Sequence, residues 1–278
     1  MPKVRLDVLM VERGLAESRA QAQRLVMAGQ VRVRGQMVLK PAVSIDVDLP
    51  IEVEQGPRFV SRGGDKLEAA ILGFGLQVRG LVCADVGAST GGFTDCLLQN
   101  GAVRVFAIDV GQGILHWKLR QDDRVVVMEK TNARYVRSLQ EPVDLITVDA
   151  SFISLKILLP VISGWFDQQR IPAQVSPNEA EVQKAGQVIA LIKPQFEAGR
   201  QQTSRGHGVI RDPLIHRQIL LDVLTIGQGE QYGIRGLMRS PLLGPKGNME
   251  FLALLEYPGS NSIDVELLVT QVISPAQV

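Results

Sequence analysis

The sequence predicts an α/β protein: a mostly parallel, doubly wound sheet, with a small α+β unit at its front. Three observations carry this. From residue 81 onward, short apolar runs alternate with helix-like stretches, the pattern of strand–helix–strand crossovers. Four of those runs stop at a charged residue: 81–84 at Asp85, 103–108 at Asp109, 145–148 at Asp149 and 188–192 at Lys193. Charge is also divided unevenly. Residues 1–40 hold eight basic and three acidic side chains, whereas the rest holds 22 basic and 26 acidic, so a basic module precedes a slightly acidic body.

Composition narrows the class. The 278 residues allow one large or two unequal domains. No apolar run reaches the ~18 residues of a membrane-spanning helix. The start, MPKVRLDVLM, lacks the apolar core of a secretory signal. Two cysteines, Cys83 and Cys96, suggest neither a disulfide framework nor a zinc site, and His116, His207 and His216 have no metal-ligand spacing. The expectation is a soluble, cytoplasmic, metal-free protein with no membrane partner, taken as a monomer.

In the front module, Arg5 to Glu12 reads as a short helix stopped by Gly14. Ser18-Arg19-Ala20-Gln21 has the capping-box form, Ala22, Leu25 and Val26 make an apolar stripe, and Gly29 suits a left-handed cap. Val31 and Val33 alternate up to a turn at Arg34-Gly35, and a further strand ends at Val53. The order Arg5-Leu6-Asp7 with Leu9, then Gly14, Ser18-Arg19 and Ala22, then Gly29, Val31, Val33 and Gly35, resembles the RNA-binding domain of the ribosomal-protein S-four type. The resemblance implies RNA contacts by Arg5, Arg19, Arg24, Arg32, Arg34 and Lys40, consistent with arginine's affinity for phosphates and splayed bases. The run 56–64 (GPRFVSRGG) interrupts the periodicity as a linker, giving domains 1–60 and 61–278.

In the body, ligands of a doubly wound sheet bind outside the carboxyl ends of the strands, so the four charged ends should share one crevice. After the first of these strands comes Asp85-Val86-Gly87-Ala88-Ser89-Thr90-Gly91-Gly92-Phe93. The spacing differs from the G-x-G-x-x-G of dinucleotide enzymes and lacks the G-K-[ST] of a phosphate loop. An acid ahead of the glycines favours a cationic ligand. D-x-G-x-x-x-G-G resembles the first motif of S-adenosylmethionine-dependent methyltransferases. That implies cofactor binding by Asp85, Gly87, Ala88, Ser89, Gly91, Gly92 and Phe93, with Asp85 near the methionine amine. It further implies Asp109 and Val110 at the ribose, and Asn132 and Ala133, after the strand Val125–Met128, near the adenine.

Marks of base methylation are missing. Neither cysteine follows a proline, as a cytosine-carbon nucleophile would, and the stretch 149–152 (DASF) lacks the paired prolines of amino-methylating enzymes. Residues 63–67 (GGDKL), 149–155 (DASFISL), 191–197 (LIKPQFE) and 247–252 (GNMEFL) together resemble the TlyA family, whose catalytic domain is related to FtsJ-type RNA ribose methyltransferases. The resemblance runs from Arg5 to Leu255. It implies a Lys-Asp-Lys-Glu tetrad at Lys66, Asp149, Lys193 and Glu250. It also implies methyl transfer to cytidine 2′-hydroxyls of ribosomal RNA, with that RNA or ribosomal subunits as partners.

The residues fit such chemistry. A ribose hydroxyl is a weak nucleophile and needs alignment and help in losing its proton. Lys193 closes a wholly apolar strand, and as a base it would need its proton loosened by desolvation or a neighbouring cation. Lys66 sits in the first turn of a helix with apolar face Leu67, Ala70, Ile71 and Phe74, against the dipole. Asp149 can orient both lysines. A noncatalytic RNA-binding protein with a retained fold is the alternative, and the intact tetrad stands against it. A membrane-lytic role, suggested by the family's hemolysin label, finds no amphipathic Lys-rich or spanning segment. Residues 165–187 read as a surface excursion, 198–212 as a loop over the RNA, and the tail beyond Glu256 has no assigned role.

Overall fold

The chain divides inside the glycine- and proline-containing run after residue 55. In the computed structural model, residues 2–54, 56–166, 185–198, 208–259 and 263–274 are described. Two compact units result, Met1–Arg58 and Phe59–Val278.

The front unit comprises β1 (Lys3–Arg5), α1 (Leu6–Glu12), α2 (Arg19–Met27), β2 (Val31–Val33), β3 (Gln36–Met37), β4 (Ser44–Asp46) and β5 (Ile51–Val53). Lys3–Arg5 is extended and pairs antiparallel with β4, so α1 begins one residue later than its periodicity suggests. Ser18 caps α2: the Gln21 N–H donates to its Oγ at 3.3 Å, while the Gln21 side chain accepts from the Glu17 N–H. Arg34 and Gly35, at φ +53° and +74°, form the two-residue turn joining β2 to β3, a twist that matches antiparallel strands. Leu6, Met10, Ala22, Val26 and Val31 are fully enclosed and make this unit's core.

The larger unit is built on seven strands: β6 (Val82–Val86), β7 (Arg104–Ile108), β8 (Val125–Met128), β9 (Leu145–Val148), β10 (Gly186–Ile192), β11 (Gly233–Arg239) and β12 (Phe251–Tyr257). Their order is β11-β12-β10-β9-β6-β7-β8. Only β12 runs against the rest, between β10 and β11. Its first residue therefore lies at the edge where the parallel strands finish. The chain order reverses between β6 and β9, the switch point where such sheets open a crevice.

Side chains alternate across the sheet. Cys83, Leu145, Ile189 and Leu252 pack with α3 (Gly63–Phe74) and α4 (Gly92–Gln99) on one face. On the other, Ala84, Ile146, Val188 and Ala253 pack with α6 (Leu155–Ile162), α8 (Pro213–Gly229) and α9 (Val265–Ile273). Two short helices, α5 (Trp117–Arg120) and α7 (Pro194–Glu197), sit in the connections.

Several expectations change here. Asp85 does not end its strand: β6 continues through Val86, which places the Asp85 side chain within the sheet. Trp165 and Phe166, expected on a surface excursion, are buried, and Phe166 bridges to Val143. From residues 165–187, positions 167–184 lie outside the described residues, as do 199–207 of the expected RNA loop, including His207. The tail has a structural job: α9 packs on α8, and the Arg239 guanidinium donates to the carbonyls of Val272 and Ile273 at 2.6 Å. Both cysteines are buried thiols outside any disulfide. Among the described residues no helix is long and apolar enough to cross a membrane.

Candidate active site

At the switch point the backbone is drawn in by glycine. Gly87, at φ +86°, follows β6, and a Cβ there would lie 2.7 Å from the Asp149 carbonyl oxygen. Gly91, at φ +97°, opens α4 against Leu119. A Cβ on Gly92 would lie 2.9 Å from the Gly64 nitrogen, so the starts of α3 and α4 meet almost backbone to backbone. This close approach carries Lys66, one turn into α3, to the carboxyl edge of the sheet.

There the four tetrad residues form two ion pairs. Lys66 Nζ lies 2.5 Å from Glu250 Oε2, with both side chains buried. Lys193 Nζ lies 2.6 Å from Asp149 Oδ1 and also donates to the Asp149 carbonyl at 3.2 Å and to Ser151 Oγ at 3.0 Å. An ammonium has three N–H donors, and here each has an acceptor. All four residues line one cavity of about 650 Å³, together with Gly87, Ala88, Ser89, Gly92 and Phe93. Glu250 Oε1 and Gln195 Oε1, both in buried positions on its wall, have no hydrogen-bond partner among the described residues.

A second cavity, of about 260 Å³, shares Gly87, Ser89, Asp149, Ser151 and Phe152 with the first. Its further walls include Asp109, Val110, Asn132 and Ala133. Asp109 is fixed by two backbone donors, the N–H groups of Ser89 at 2.8 Å and Gly111 at 2.7 Å. Each oxygen keeps acceptor capacity for a ligand. Ala133, Ile153 and Leu158 make an apolar slot beside it.

Two expected cofactor residues lie behind these walls. Gly91 serves the backbone turn and packs against Leu119. Asp85 is fully buried and lines neither cavity. Its carboxylate accepts from Thr94 Oγ1 at 2.7 Å and Thr147 Oγ1 at 3.1 Å, and burial pushes it up to about 7. The alternation that enclosed it is the reason: position 85 shares a face with Cys83, not with the crevice.

Sequence reasoning passed over several residues of the site. Ser151 supplies an acceptor to Lys193. Phe152 stands 90% exposed in the left-handed region at φ +65°, its ring 4.9 Å from that of Phe196. Glu197 ties the two loops: it accepts from Ser154 Oγ at 2.5 Å and from the Leu155 N–H at 2.8 Å, and burial holds its carboxyl above the usual range. Ser151, Phe152 and Glu197 all fall within the motif stretches, so their signal was proximity to Asp149 and Lys193.

The basic residues of the front unit separate into two groups. Asp7 is fully buried, and Arg5 binds it through two bonds of 3.0 Å, Arg19 through one of 3.0 Å and Gln23 through one of 2.8 Å. The Arg5 hydrogen bonds, above all, hold its carboxyl well below the usual range. Arg32 pairs with Glu54. Arg24, Arg34 and Lys40 are exposed.

Residues 59–257 match the family described as FtsJ-like methyltransferase, and residues 4–49 match the S4 domain. YqxC of Bacillus subtilis, named as a candidate rRNA methyltransferase, is 45% identical over 269 residues, covering 95% of this chain and 90% of its own length. The 16S/23S rRNA (cytidine-2′-O)-methyltransferase TlyA of Mycobacterium tuberculosis is 40% identical over 257 residues, 91% of this chain and 90% of that protein. A solved structure of a candidate hemolysin from Streptococcus thermophilus superposes with a TM-score of 0.70 at 42% identity, covering 99% of this chain and 95% of that one. Two domain matches in this order, a tetrad gathered at the switch point and relatives matched over nine-tenths of their length lead to one placement: the chain belongs to the FtsJ-like methyltransferase family, in the TlyA group, with an S4 domain at its front.

Proposed function

We propose that this chain methylates the 2′-hydroxyl of a cytidine in ribosomal RNA, using S-adenosylmethionine, and that it works in the cytoplasm on that RNA or on ribosomal subunits. The observation that carries the reading is the two ion pairs, the buried Lys66–Glu250 and the part-buried Lys193–Asp149, on one cavity that shares its Gly87 wall with the second slot. The name of the M. tuberculosis relative supports rRNA and cytidine as the substrate.

The residues present suit the cofactor. Asp109 offers acceptors for ribose hydroxyls, while Ala133, Ile153 and Leu158 offer apolar walls for an adenine. Asn132 and Val110 border the same slot, and the absence of a side chain at Gly87 leaves room beside Asp149. S-adenosylmethionine, when bound, supplies an electrophilic methyl group. Asp85 acts behind the loop, holding Thr94 of α4 to Thr147 of β9.

The protein's own part is alignment and charge. Asp149 and Ser151 aim the Lys193 ammonium; moving one donor onto the 2′-oxygen would stabilise negative charge developing there. The carboxylates of Asp149 and Glu250, the latter with its Oε1 unpartnered among the described residues, are acceptors on the cavity wall for the hydroxyl proton. Lys66 keeps Glu250 oriented. With every Lys193 donor occupied, the geometry favours a donor role over the base role expected from sequence.

Arginine keeps donors but does not give up its proton, so the variant Lys193→Arg separates the two roles. Measurable methyl transfer by Lys193→Arg, with none by Lys193→Ala, supports the donor. Equal loss in both, with folding and cofactor affinity intact, sinks it.

RNA anchoring is assigned to the front unit through Arg24, Arg34 and Lys40. Arg5 and Arg19 also brace the buried Asp7 and Arg32 pairs with Glu54, while all three side chains stay partly exposed to a polyanion.

A further inference from the structure

We propose that Gly244 is a positioning residue for the Lys66–Glu250 pair: its missing side chain leaves the room in which the Glu250 carboxylate reaches Lys66. The proposal deepens the functional reading above and rests on it. A Cβ built on Gly244 would lie 2.0 Å from Glu250 Oε1, 2.6 Å from its Cδ and 3.2 Å from its Cγ. Glu250 is 1% exposed and its other oxygen is held 2.5 Å from Lys66 Nζ, so the carboxylate cannot turn aside without leaving its partner.

The backbone does not itself demand glycine here. Gly244 has φ −69° and ψ −178°, open to any residue. Gly247, three residues on, is the reverse case: φ is +84° and the space around it is open. The segment bearing Gly244 is also pinned. Its N–H donates to the Asn248 carbonyl at 2.8 Å, and the Ser240 N–H donates to the Glu250 carbonyl at 2.9 Å. The Asn248 amide donates to the Gly208 carbonyl at 2.9 Å and to the Pro245 carbonyl at 3.2 Å, and its oxygen accepts from the Ile210 N–H at 3.1 Å. A methyl group at position 244 must therefore move the carboxylate rather than the loop.

The test uses the full chain and four variants: Gly244→Ala, Glu250→Ala, the double variant, and Gly229→Ala as a control whose Cβ meets nothing within 4 Å. A displacement of about 1 Å in an active-site group costs about a hundredfold, so kcat of Gly244→Ala should fall by that order with RNA KM and S-adenosylmethionine affinity unchanged. Gly229→Ala should keep wild-type kcat. Urea midpoints give a readout independent of turnover: Gly244→Ala lowers the midpoint when Glu250 is present and has no such effect in the Glu250→Ala background. Wild-type kcat in Gly244→Ala, or additive midpoint changes, overturns the proposal. Absence of RNA methylation by the wild-type protein would instead defeat the functional reading, while the urea cycle would still decide the coupling.

Discussion

Replacing Asp85 by asparagine should remove a pH dependence of stability that the wild-type protein carries. Burial places the native carboxyl at about 7, against 3.8 for the unfolded group. The native state therefore binds this proton more tightly. Its contribution is fully present below the unfolded value and is lost as pH rises through the native one. The surrounding hydroxyls can serve the protonated form. When Asp85 carries the proton it can donate to Thr147 Oγ1, whose own hydrogen then turns to the Ala84 carbonyl at 3.4 Å. The gap from 3.8 to about 7 corresponds to about 4 kcal/mol. Asp7, Asp122 and Glu129, whose carboxyls are held low, contribute slopes of the opposite sign, so the difference between wild type and Asp85→Asn isolates the one group. Both tryptophans, Trp117 and Trp165, lie in the larger unit, and their fluorescence in urea titrations follows its unfolding alone. The stability of wild type relative to Asp85→Asn should fall by about 4 kcal/mol between pH 4 and 8. A difference that stays constant across that range refutes the argument.

Breaking the buried pair from one side should cost more than removing it. Lys66→Met or Glu250→Leu alone leaves an uncompensated buried charge and should destabilise by about 3–5 kcal/mol, while the double variant recovers most of that but transfers no methyl; urea unfolding and a methylation assay read the two effects. On the front unit, charge reversal at Arg24, Arg34 and Lys40 should weaken RNA binding and flatten the log-affinity against log-salt slope by roughly 0.7–0.9 for each phosphate no longer neutralised. Arg19→Glu should instead lower the stability of the front unit, because Arg19 holds the buried Asp7; an unchanged melting profile would contradict this. Cofactor affinity, measured by calorimetry, should stay at the wild-type value in all the front-unit variants.

The parallel sheet was legible because its strands are apolar on both faces, so each end shows as a break in hydrophobicity. Asp109, Asp149 and Lys193 follow such breaks and do stand at the crevice. Asp85 follows a similar run but Val86 continues the strand, and its partners Thr94 and Thr147 are nine and 62 residues away in sequence. Periodicity reports which face a residue takes; it is silent on a distant hydroxyl that makes a buried acid tolerable. Glu250 shows the same limit. It precedes the one antiparallel strand, so it stands at the start of an apolar run, and only the family resemblance pointed to it. Arg5 and Arg19, expected at the RNA, are partly exposed and also converge on the buried Asp7, from a strand and a helix that are distant in the sequence.

The central claim is that the tetrad directs a methyl group to a ribose oxygen of ribosomal RNA. It is tested most directly by incubating the full chain with unmodified ribosomal subunits, or their RNA, and methyl-labelled S-adenosylmethionine, then digesting to nucleosides and identifying the labelled product. The account predicts 2′-O-methylcytidine from the wild-type protein. It predicts none from Lys193→Ala or Asp149→Asn, each of which should still bind the cofactor. Label on a nucleobase, or 2′-O-methylcytidine formed as well by both variants as by wild type, would contradict it.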